Sequence, residues 1–382
     1  MDFDLNDEQR LLKESVERLL ADRYDFETRN TWLGGEPGWS ADMWGQYADL
    51  GLLALPFSSD HGGMDGGPVE TMIVMEAFGK GLVVEPYFST VILSGGVLRH
   101  GASEGQKAHL VPQIAEGGLK LALAQTERQS RYDLFDVATS ARADGEGWVI
   151  DGAKGVVLHG DSADRLIVTA RTAGDRRDTD GIGVFLVDAS APGVSRRGYR
   201  TQDGHRAADV MFENVRVGPE AVIGDPEGGL PLVARAVDEA IAALCAEAVG
   251  GLDEMYQLTV EYLKMRKQFG VPIGDFQVLQ HAAADMFIDL EQARSMTMFA
   301  TVMAHSDDAQ ARRRAVSAAK VQIGRSAMSV GQNAIQLHGG VGMTMEFKVG
   351  HYFKRATMID ATFGNAAYHL ARVADAGSLI AA

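Results

Sequence analysis

A change in the spacing of apolar residues along the chain is the feature that most constrains its fold. Up to about residue 118 the spacing is helical, as in Leu12, Val16 and Leu19. Asn6 and, three residues later, Gln9 predict a capping box at the start of the first helix. This part of the chain therefore predicts a helical domain.

The spacing changes in the middle of the chain and changes back near its end. Between residues 121 and 217, apolar residues alternate with polar ones or form short runs, separated by turns such as Asp144-Gly145, which predicts β-strands. Helical spacing then returns in four stretches, at about 231–267, 276–304, 309–337 and 350–380. We therefore predict an α+β fold: an N-terminal helical domain at 1–118, a central β-barrel or sandwich at 119–228, and a C-terminal four-helix bundle at 229–382.

Composition excludes several classes of function. The chain has 382 residues, enough for two or three domains, and a net charge of −16, which argues against binding nucleic-acid phosphates. Cys245 is the only cysteine, which excludes a disulfide framework or a cysteine-based metal cluster and favours a reducing cytoplasm. The histidines lack a paired spacing that would indicate a metal site. No apolar run approaches the roughly 20 residues that cross a membrane, and the acidic start MDFDLNDEQR predicts neither a signal nor a transit peptide.

Three segments carry motifs that are informative in combination. They are YLKMRKQFGVPI at 262–273 with Phe276-Gln277 after it, AIQLHGGVGMT at 334–344, and Gln125-Thr126-Glu127 with ADVMFENVRV at 208–217. In this order and at these separations they resemble the acyl-CoA dehydrogenase family over essentially the whole chain. Residues 6–26, 130–139 and 351–364 are similar, more closely, to small subunits of pimeloyl-CoA dehydrogenase-like enzymes.

The resemblance implies an FAD site. Arg266 stands at the family position that meets the pyrophosphate, where a guanidinium makes charge-assisted hydrogen bonds, with Phe269 and Gln277 nearby. Gln336, Gly339 and Gly340 match the loop that grips the adenosine part of a neighbouring subunit's FAD, which implies a tetramer. The remaining cofactor residues implied are Thr126 and Asn365. Taken alone, the RKQFG segment is also compatible with a helix end capped by glycine, and the HGG segment with an ordinary turn.

The chain departs from the family where the chemistry occurs. The reaction removes a proton next to a thioester and needs a positioned carboxylate. Most relatives carry a glutamate where this chain has Phe363, although the backbone N–H there could still polarise a carbonyl. A minority place the base at the position of Ala240, with an arginine at the position of Ile241. The family's flavin-facing Trp-x-Thr aligns with Val156-Val157-Leu158.

Glu247 is the remaining candidate for the base. It lies seven residues after Ala240, on nearly the same helix face, among apolar neighbours that would raise its pKa by desolvation. The alternative is a buried ion pair with an arginine or lysine, which stabilises a subunit interface. Weaker candidates are Asp238, Glu239 and Asp360, which we expect at helix ends or on the surface.

Three functions are compatible with these residues. The first is α,β-desaturation of an acyl-CoA, such as a dicarboxylyl-CoA, by a flavoprotein that works with a homologous partner chain and passes electrons to an electron-transfer flavoprotein. The second is a non-catalytic subunit that completes the partner's FAD site. The third is a flavin oxidase or monooxygenase on the same fold, since fold alone does not fix function.

Overall fold

The computed structural model describes residues 5–377. Six α-helices precede residue 118 in the described part of the chain: α1 Asp7–Arg23, α2 Phe26–Gly34, α3 Ala41–Asp49, α4 Pro68–Gly81, α5 Gly95–Gly101 and α6 Glu104–Ala115. The predicted capping box is confirmed. The Asn6 side chain accepts the Gln9 N–H at 2.8 Å, and the Gln9 side chain accepts the Asn6 N–H at 3.0 Å. This reciprocal pair satisfies two of the backbone donors that a helix start leaves without partners.

The middle of the chain forms one seven-stranded sheet. Its strands are β1 Leu121–Ala124, β2 Ser140–Asp144, β3 Gly147–Leu158, β4 Arg165–Arg171, β5 Ile182–Asp188, β6 Val194–Arg200 and β7 Arg206–Val217. The order is β1-β4-β2-β3-β7-β6, with β5 paired to β4. β1 runs parallel to β4, whereas β3–β7, β4–β5 and β6–β7 are antiparallel. Ile150, Leu166, Phe185, Val210 and Phe212 belong to its buried core, as the alternating pattern predicts.

Helices return after the sheet, as predicted. They are α7 Gly229–Met265, α8 Gln277–Ala304, α9 Ala309–His338, α10 Lys348–Ala361 and α11 Ala366–Asp375. A short hairpin, β8 Lys267–Gln268 and β9 Val271–Pro272, joins α7 to α8. The fourth predicted stretch is two helices rather than one, because the chain turns at Thr362–Asn365, where Gly364 has a φ of +115°. Residues 378–380 of that stretch lie outside the described residues. The α+β prediction is confirmed, with five helices in the last part instead of four.

The backbone forms two compact units. One contains the described residues up to Thr31, Pro68–Val83 and the described residues from Ile241 onward; the other contains Trp32–Gly67 and Val84–Ala240. These units group the chain differently from the predicted boundaries at 118 and 228, so the three-domain division stays a prediction. No helix of residues 5–377 is long and apolar enough to span a membrane.

Helices α4 and α7 approach each other through glycine within the first unit. A Cβ added at Gly79 would lie 1.9 Å from the backbone oxygen of Glu247, and one added at Gly250 would lie 2.0 Å from the backbone oxygen of Glu76. Two heavy atoms cannot come so close, so only glycine permits this spacing. The two helices are therefore in backbone contact beside Glu247.

Candidate functional site

Arg266 follows the last residue of α7 and leads into the hairpin. Phe269 and Gly270 form its two-residue turn, with φ values of +55° and +87°, which is the conformation that joins tightly paired strands. The Phe269 side chain is 89% exposed and meets Phe276 edge-on at a ring-centroid distance of 6.1 Å. Arg266 is exposed, and no described residue forms an ion pair with it. The hairpin thus presents an unpaired guanidinium and an uncovered aromatic ring.

The second predicted cofactor segment lies at the end of α9. Gln336 is exposed, and Gly339 ends the helix with a φ of +61°, followed by an exposed Gly340. A Cβ at either glycine would meet no atom within 4 Å. Gly339 therefore caps the end of α9, where the sequence alone also allowed an ordinary turn, and the two glycines leave bare backbone facing open space. Gln277, also exposed, is the first residue of α8.

His338 connects the end of α9 to α7. Its buried ring stacks on Tyr262 at 4.5 Å, and Nδ1 lies 2.8 Å from the backbone oxygen of Ala334. Burial lowers the pKa of His338, so the ring is neutral at physiological pH. Tyr262 lies four residues before Arg266, so this stack brings together the two segments that the sequence analysis could only place in order.

Thr126 lies in the other compact unit, directly after β1. Its backbone oxygen accepts the N–H of Gly155, and its hydroxyl accepts a hydrogen bond from Gln125 at 2.8 Å. Next to Gly155, a bulge in β3 places Val156 at a φ of +52° with half of its surface exposed. A β-branched residue in this conformation is strained. The segment that aligns with the family's flavin-facing Trp-x-Thr is thus an apolar bulge, which is hydrogen-bonded to the Thr126 loop through Gly155.

A buried ion pair that the sequence pattern did not predict supports this loop. The Nζ of Lys154 lies 2.7 Å from Oε1 of Glu127, whose carboxylate also accepts the N–H groups of Ala138 and Thr139. Burial lowers the pKa of Lys154 to about 8. Burial alone would raise the pKa of Glu127, but the charge of Lys154 and the hydrogen bonds outweigh it and lower that pKa to about 2. Both groups are therefore charged at neutral pH.

Phe363 and Asn365 lie in the turn between α10 and α11. Phe363 has a φ of +57°, a conformation that costs energy for a bulky side chain. The Asn365 side chain caps α11 by accepting the N–H of Tyr368 at 2.9 Å. Buried Lys320 and His369 hold the carbonyls of this turn. Lys320 has Val316 and Ile323 four residues before and three after it, so its place on an apolar helix face was a signal available in the sequence.

Glu247 is engaged on both carboxylate oxygens. Arg355 on α10 donates from Nε to Oε1 at 2.5 Å and from Nη2 to Oε2 at 2.8 Å, and Glu247 is 5% exposed. This is the buried ion pair that was the alternative to a catalytic base at this position. A carboxylate held in a two-bond fork by an arginine is a poor acceptor for a substrate proton.

The weaker candidates are also engaged, and two were placed wrongly. Asp238 and Glu239 are buried inside α7 rather than at a helix end or on the surface. Glu239 lies 2.9 Å from Nη2 of Arg99 and 2.6 Å from Nε2 of His100, partners that a local pattern does not reveal. Asp360, near the end of α10, accepts the N–H of Ala366 at 3.0 Å.

The residues of the first unit fit a dinucleotide. An unpaired arginine suits a pyrophosphate, and glycines with open space above them let a cofactor approach the backbone. The uncovered ring of Phe269 is suited to contact with another molecule. No group of three or more His, Cys, Asp or Glu side chains that could hold a metal ion occurs in the described part of the chain. These exposed residues are therefore compatible with binding a dinucleotide such as FAD.

Comparison with known proteins identifies the family. The acyl-CoA dehydrogenase N-terminal, middle and C-terminal domains match residues 6–118, 122–215 and 227–377. The probable acyl-CoA dehydrogenase YngJ of Bacillus subtilis (strain 168) is 28% identical over 369 residues, 94% of this chain and 95% of the relative. The chain therefore belongs to the acyl-CoA dehydrogenase family, whose members are FAD-dependent oxidoreductases that act on CH–CH bonds.

Two solved structures show how closely the fold is shared. A variant of the Tcur3481-Tcur3483 steroid acyl-CoA dehydrogenase is 26% identical with a TM-score of 0.87, and 97% of each chain is covered. PigA with FAD and proline is also 26% identical, with a TM-score of 0.90 and 98% of each chain covered. Similarity therefore extends over nearly the full length of two chains, one named for a steroid and the other solved with FAD and proline.

Proposed function

We propose that this chain is an FAD-binding subunit of a two-chain acyl-CoA dehydrogenase in which a homologous partner supplies the catalytic base. One observation carries the proposal: the chain has no available carboxylate at either family position. Phe363 and Ala240 occupy those positions, and Glu247 is held by Arg355. A reaction that begins with removal of a proton from carbon cannot proceed without a base.

The chain's own residues provide the binding of the cofactor. In this proposal Arg266 neutralises part of the pyrophosphate charge, and the exposed backbone at Gly339 and Gly340 receives the adenosine part. Phe269 packs against the cofactor or the adjoining subunit. Bound FAD would supply the hydride acceptor for α,β-desaturation of an acyl thioester, with an electron-transfer flavoprotein as the subsequent acceptor.

The exposed apolar side chains support an assembly. Met265, Phe269, Val278 and Ile288 are each between 52% and 89% exposed, within one stretch of the first unit. Large apolar side chains left exposed in one stretch of a chain favour a contact with another chain. We propose that these side chains contact a homologous chain in a tetramer. The name of the steroid enzyme joins two designations, Tcur3481 and Tcur3483, which is consistent with such an arrangement.

The proposed substrate is a bulky acyl-CoA. The resemblance of residues 130–139 and 351–364 to pimeloyl-CoA dehydrogenase-like small subunits favours a dicarboxylyl-CoA, and the steroid enzyme is another relative named for a large substrate. A reducing cytoplasm remains part of the proposal, because the single cysteine, Cys245, is buried and free.

The test is anaerobic reduction of the flavin by acyl-CoA. The chain is purified from its native host with any second chain bound to it, and it is also prepared alone. We expect bleaching of the flavin absorbance only in the two-chain assembly, and loss of bleaching when the partner's carboxylate is changed to an amide. Bleaching by this chain alone would refute the proposal.

Two variants and one reaction separate the alternatives. Phe363→Glu alone is expected to give no turnover, and Phe363→Leu serves as the matched control, because base, substrate anchor and flavin contacts act as a unit. If this chain contributes no flavin that acyl-CoA can reduce in the assembly, the chain is a structural subunit. Rapid reaction of reduced flavin with oxygen, independent of acyl-CoA, would instead indicate an oxidase or monooxygenase.

A further inference from the structure

A strained residue stands on the exposed side of β3. Val156 has a φ of +52°, which a β-branched residue rarely adopts, and half of its surface is exposed. In a regular strand Val156 would share the face of buried Lys154, but the bulge between Lys154 and Val157 turns it outward. Such strain persists only where the surroundings fix it, and it is concentrated at ligand contacts. The bulge is therefore a candidate ligand contact that other residues must hold in place.

The ion pair of Lys154 and Glu127 holds the bulge from its buried side. The Lys154 side chain is 0% exposed, and its Nζ donates to Oε1 of Glu127 at 2.7 Å and to Oγ1 of Thr169 on β4 at 3.0 Å. Lys154 lies two residues before Val156 in the sequence. The position of the buried ammonium group therefore limits where the bulge can lie.

The same pair fixes the neighbouring loop, because Glu127 directly follows Thr126. Between the two anchors, the N–H of Gly155 donates to the backbone oxygen of Thr126 at 2.9 Å. The ion pair and this hydrogen bond together form a clamp, which we call the Lys154–Glu127 clamp. Its inner side is buried, whereas Val156 is exposed and Thr126 is half-buried.

We propose that Lys154 and Glu127 are positioning residues that hold Thr126 and Val156 at a fixed separation for contact with the flavin ring. The inference rests on the proposed function, because it takes FAD as the ligand of this edge. An apolar side chain beside a hydroxyl and backbone groups suits a planar ring with apolar faces and polar edges. Contacts of this kind must be held to within about 0.5 Å by the residues behind them. A buried ion pair adds little net stability, so its role here is to fix that geometry.

Lys154→Met removes one partner without leaving the other unsatisfied. The carboxylate of Glu127 still accepts the N–H groups of Ala138 at 2.8 Å and Thr139 at 3.0 Å, and the side-chain amide of Gln129 at 2.7 Å. Such donors stabilise a buried carboxylate. The variant is therefore expected to fold, with the clamp open at its buried end.

Two control variants separate positioning from stability. Glu85→Gln changes a buried carboxylate of the same unit, which accepts the N–H of Ser40 at 3.0 Å and lies outside the clamp. Thr169→Val removes the second acceptor of Lys154 and leaves the ion pair in place. Both controls perturb the interior of this unit, but neither removes a member of the ion pair.

The experiment uses the assembled holoprotein, and melting temperatures are recorded for every variant. The reduction potential and the absorbance spectrum of the bound flavin report the groups around its ring. Hydrogen exchange of residues 152–160, measured with and without FAD, reports the bond from Gly155 to Thr126. We expect Lys154→Met to raise this exchange about tenfold or more and to shift both flavin readouts. Glu85→Gln and Thr169→Val should keep wild-type values, even where their melting temperatures fall as far.

Four outcomes would overturn the inference or the proposed function. Wild-type exchange and flavin readouts in Lys154→Met would refute the inference. Equal changes in Glu85→Gln, at the same loss of melting temperature, would show that the pair acts only through stability. Faster exchange with an unchanged flavin potential and spectrum would show a clamp that does not position the flavin. An assembly without FAD would refute the proposed function, and exchange would then still show whether the clamp exists.

A second variant covers the case in which Lys154→Met does not fold. Glu127→Gln keeps an oxygen that can accept the N–H of Ala138 or Thr139 but loses the charge that faces Lys154. The same readouts and the same two controls apply to it. Faster exchange together with shifted flavin readouts would support the inference, and wild-type values would refute it.

Discussion

Replacing Glu247 with glutamine tests the role of the most conspicuous carboxylate in the chain. The substitution keeps the size of the side chain but takes away the negative charge that faces the guanidinium of Arg355. Both bonds of the pair are short, at 2.5 and 2.8 Å, and Glu247 is 5% exposed. Water is therefore poorly placed to replace the carboxylate.

The expected loss of stability is large. Removing one member of a buried ion pair costs about 3–5 kcal/mol, because the remaining charge stays desolvated. Unfolding entropy of about 2.1 cal/mol/K per residue corresponds to about 0.8 kcal/mol/K for a chain of 382 residues. The melting temperature should thus fall by about 4–6 °C. Replacing both members, as Glu247→Leu with Arg355→Met, should be less destabilising than the sum of the single changes, since no charge is stranded.

Thermal unfolding by circular dichroism and anaerobic flavin reduction are measured on the same preparation. Glu261→Gln is the control, because Glu261 is an exposed carboxylate on the same helix and its loss should change stability by less than about 0.5 kcal/mol. An unchanged melting temperature in Glu247→Gln, together with flavin reduction slowed by about 10²–10⁴-fold, would refute the ion-pair reasoning and establish Glu247 as the base.

Three further predictions concern separate parts of the molecule. Gly79→Ala should lower the free energy of unfolding by about 1–3 kcal/mol or more, because α4 and α7 must move apart. Gly45→Ala, with open space at its Cβ position, should be neutral or stabilising in the same denaturant titration. His369 takes up a proton near pH 6.5 in the unfolded chain but only near pH 3 in the folded chain. The free energy of unfolding should therefore fall by about 1.4 kcal/mol per pH unit as the pH drops through this window. Urea titrations from pH 7 to 4 should show a shallower fall in His369→Gln, and identical pH profiles would contradict the assignment. Arg266→Ala should weaken FAD binding by about 5- to 150-fold, measured by flavin fluorescence, while Lys267→Ala should retain it.

Local patterns predicted the parts of the fold that local interactions determine. The capping box at Asn6, the helical stretches and the strands of the sheet follow from neighbours within a few residues. The break at Thr362–Asn365 was not predicted, because Lys320 and His369 hold that turn from other helices. Such contacts produce no periodic pattern of apolar residues in the turn itself.

The candidate site was predictable to a similar degree. The helical spacing predicted the ends of α7 and α9 to within two residues, next to Arg266 and the glycines of 339–340. The assignment of these residues to FAD contacts stays a prediction. The sequence allowed an arginine or lysine partner for Glu247, yet Arg355 lies 108 residues away and could not be chosen by spacing. Glu239 was predicted wrongly for the same reason, since Arg99 and His100 reach it from 139–140 residues away.

The hairpin that carries Phe269 affects how the protein must be produced. Each newly folded copy displays an aromatic ring with 89% of its surface in water, next to other uncovered apolar side chains. In a crowded cell such a copy is open to aggregation and to chaperone capture until another surface covers it. In the proposed assembly, production of this chain in matched amounts with its homologous partner would keep this ring covered.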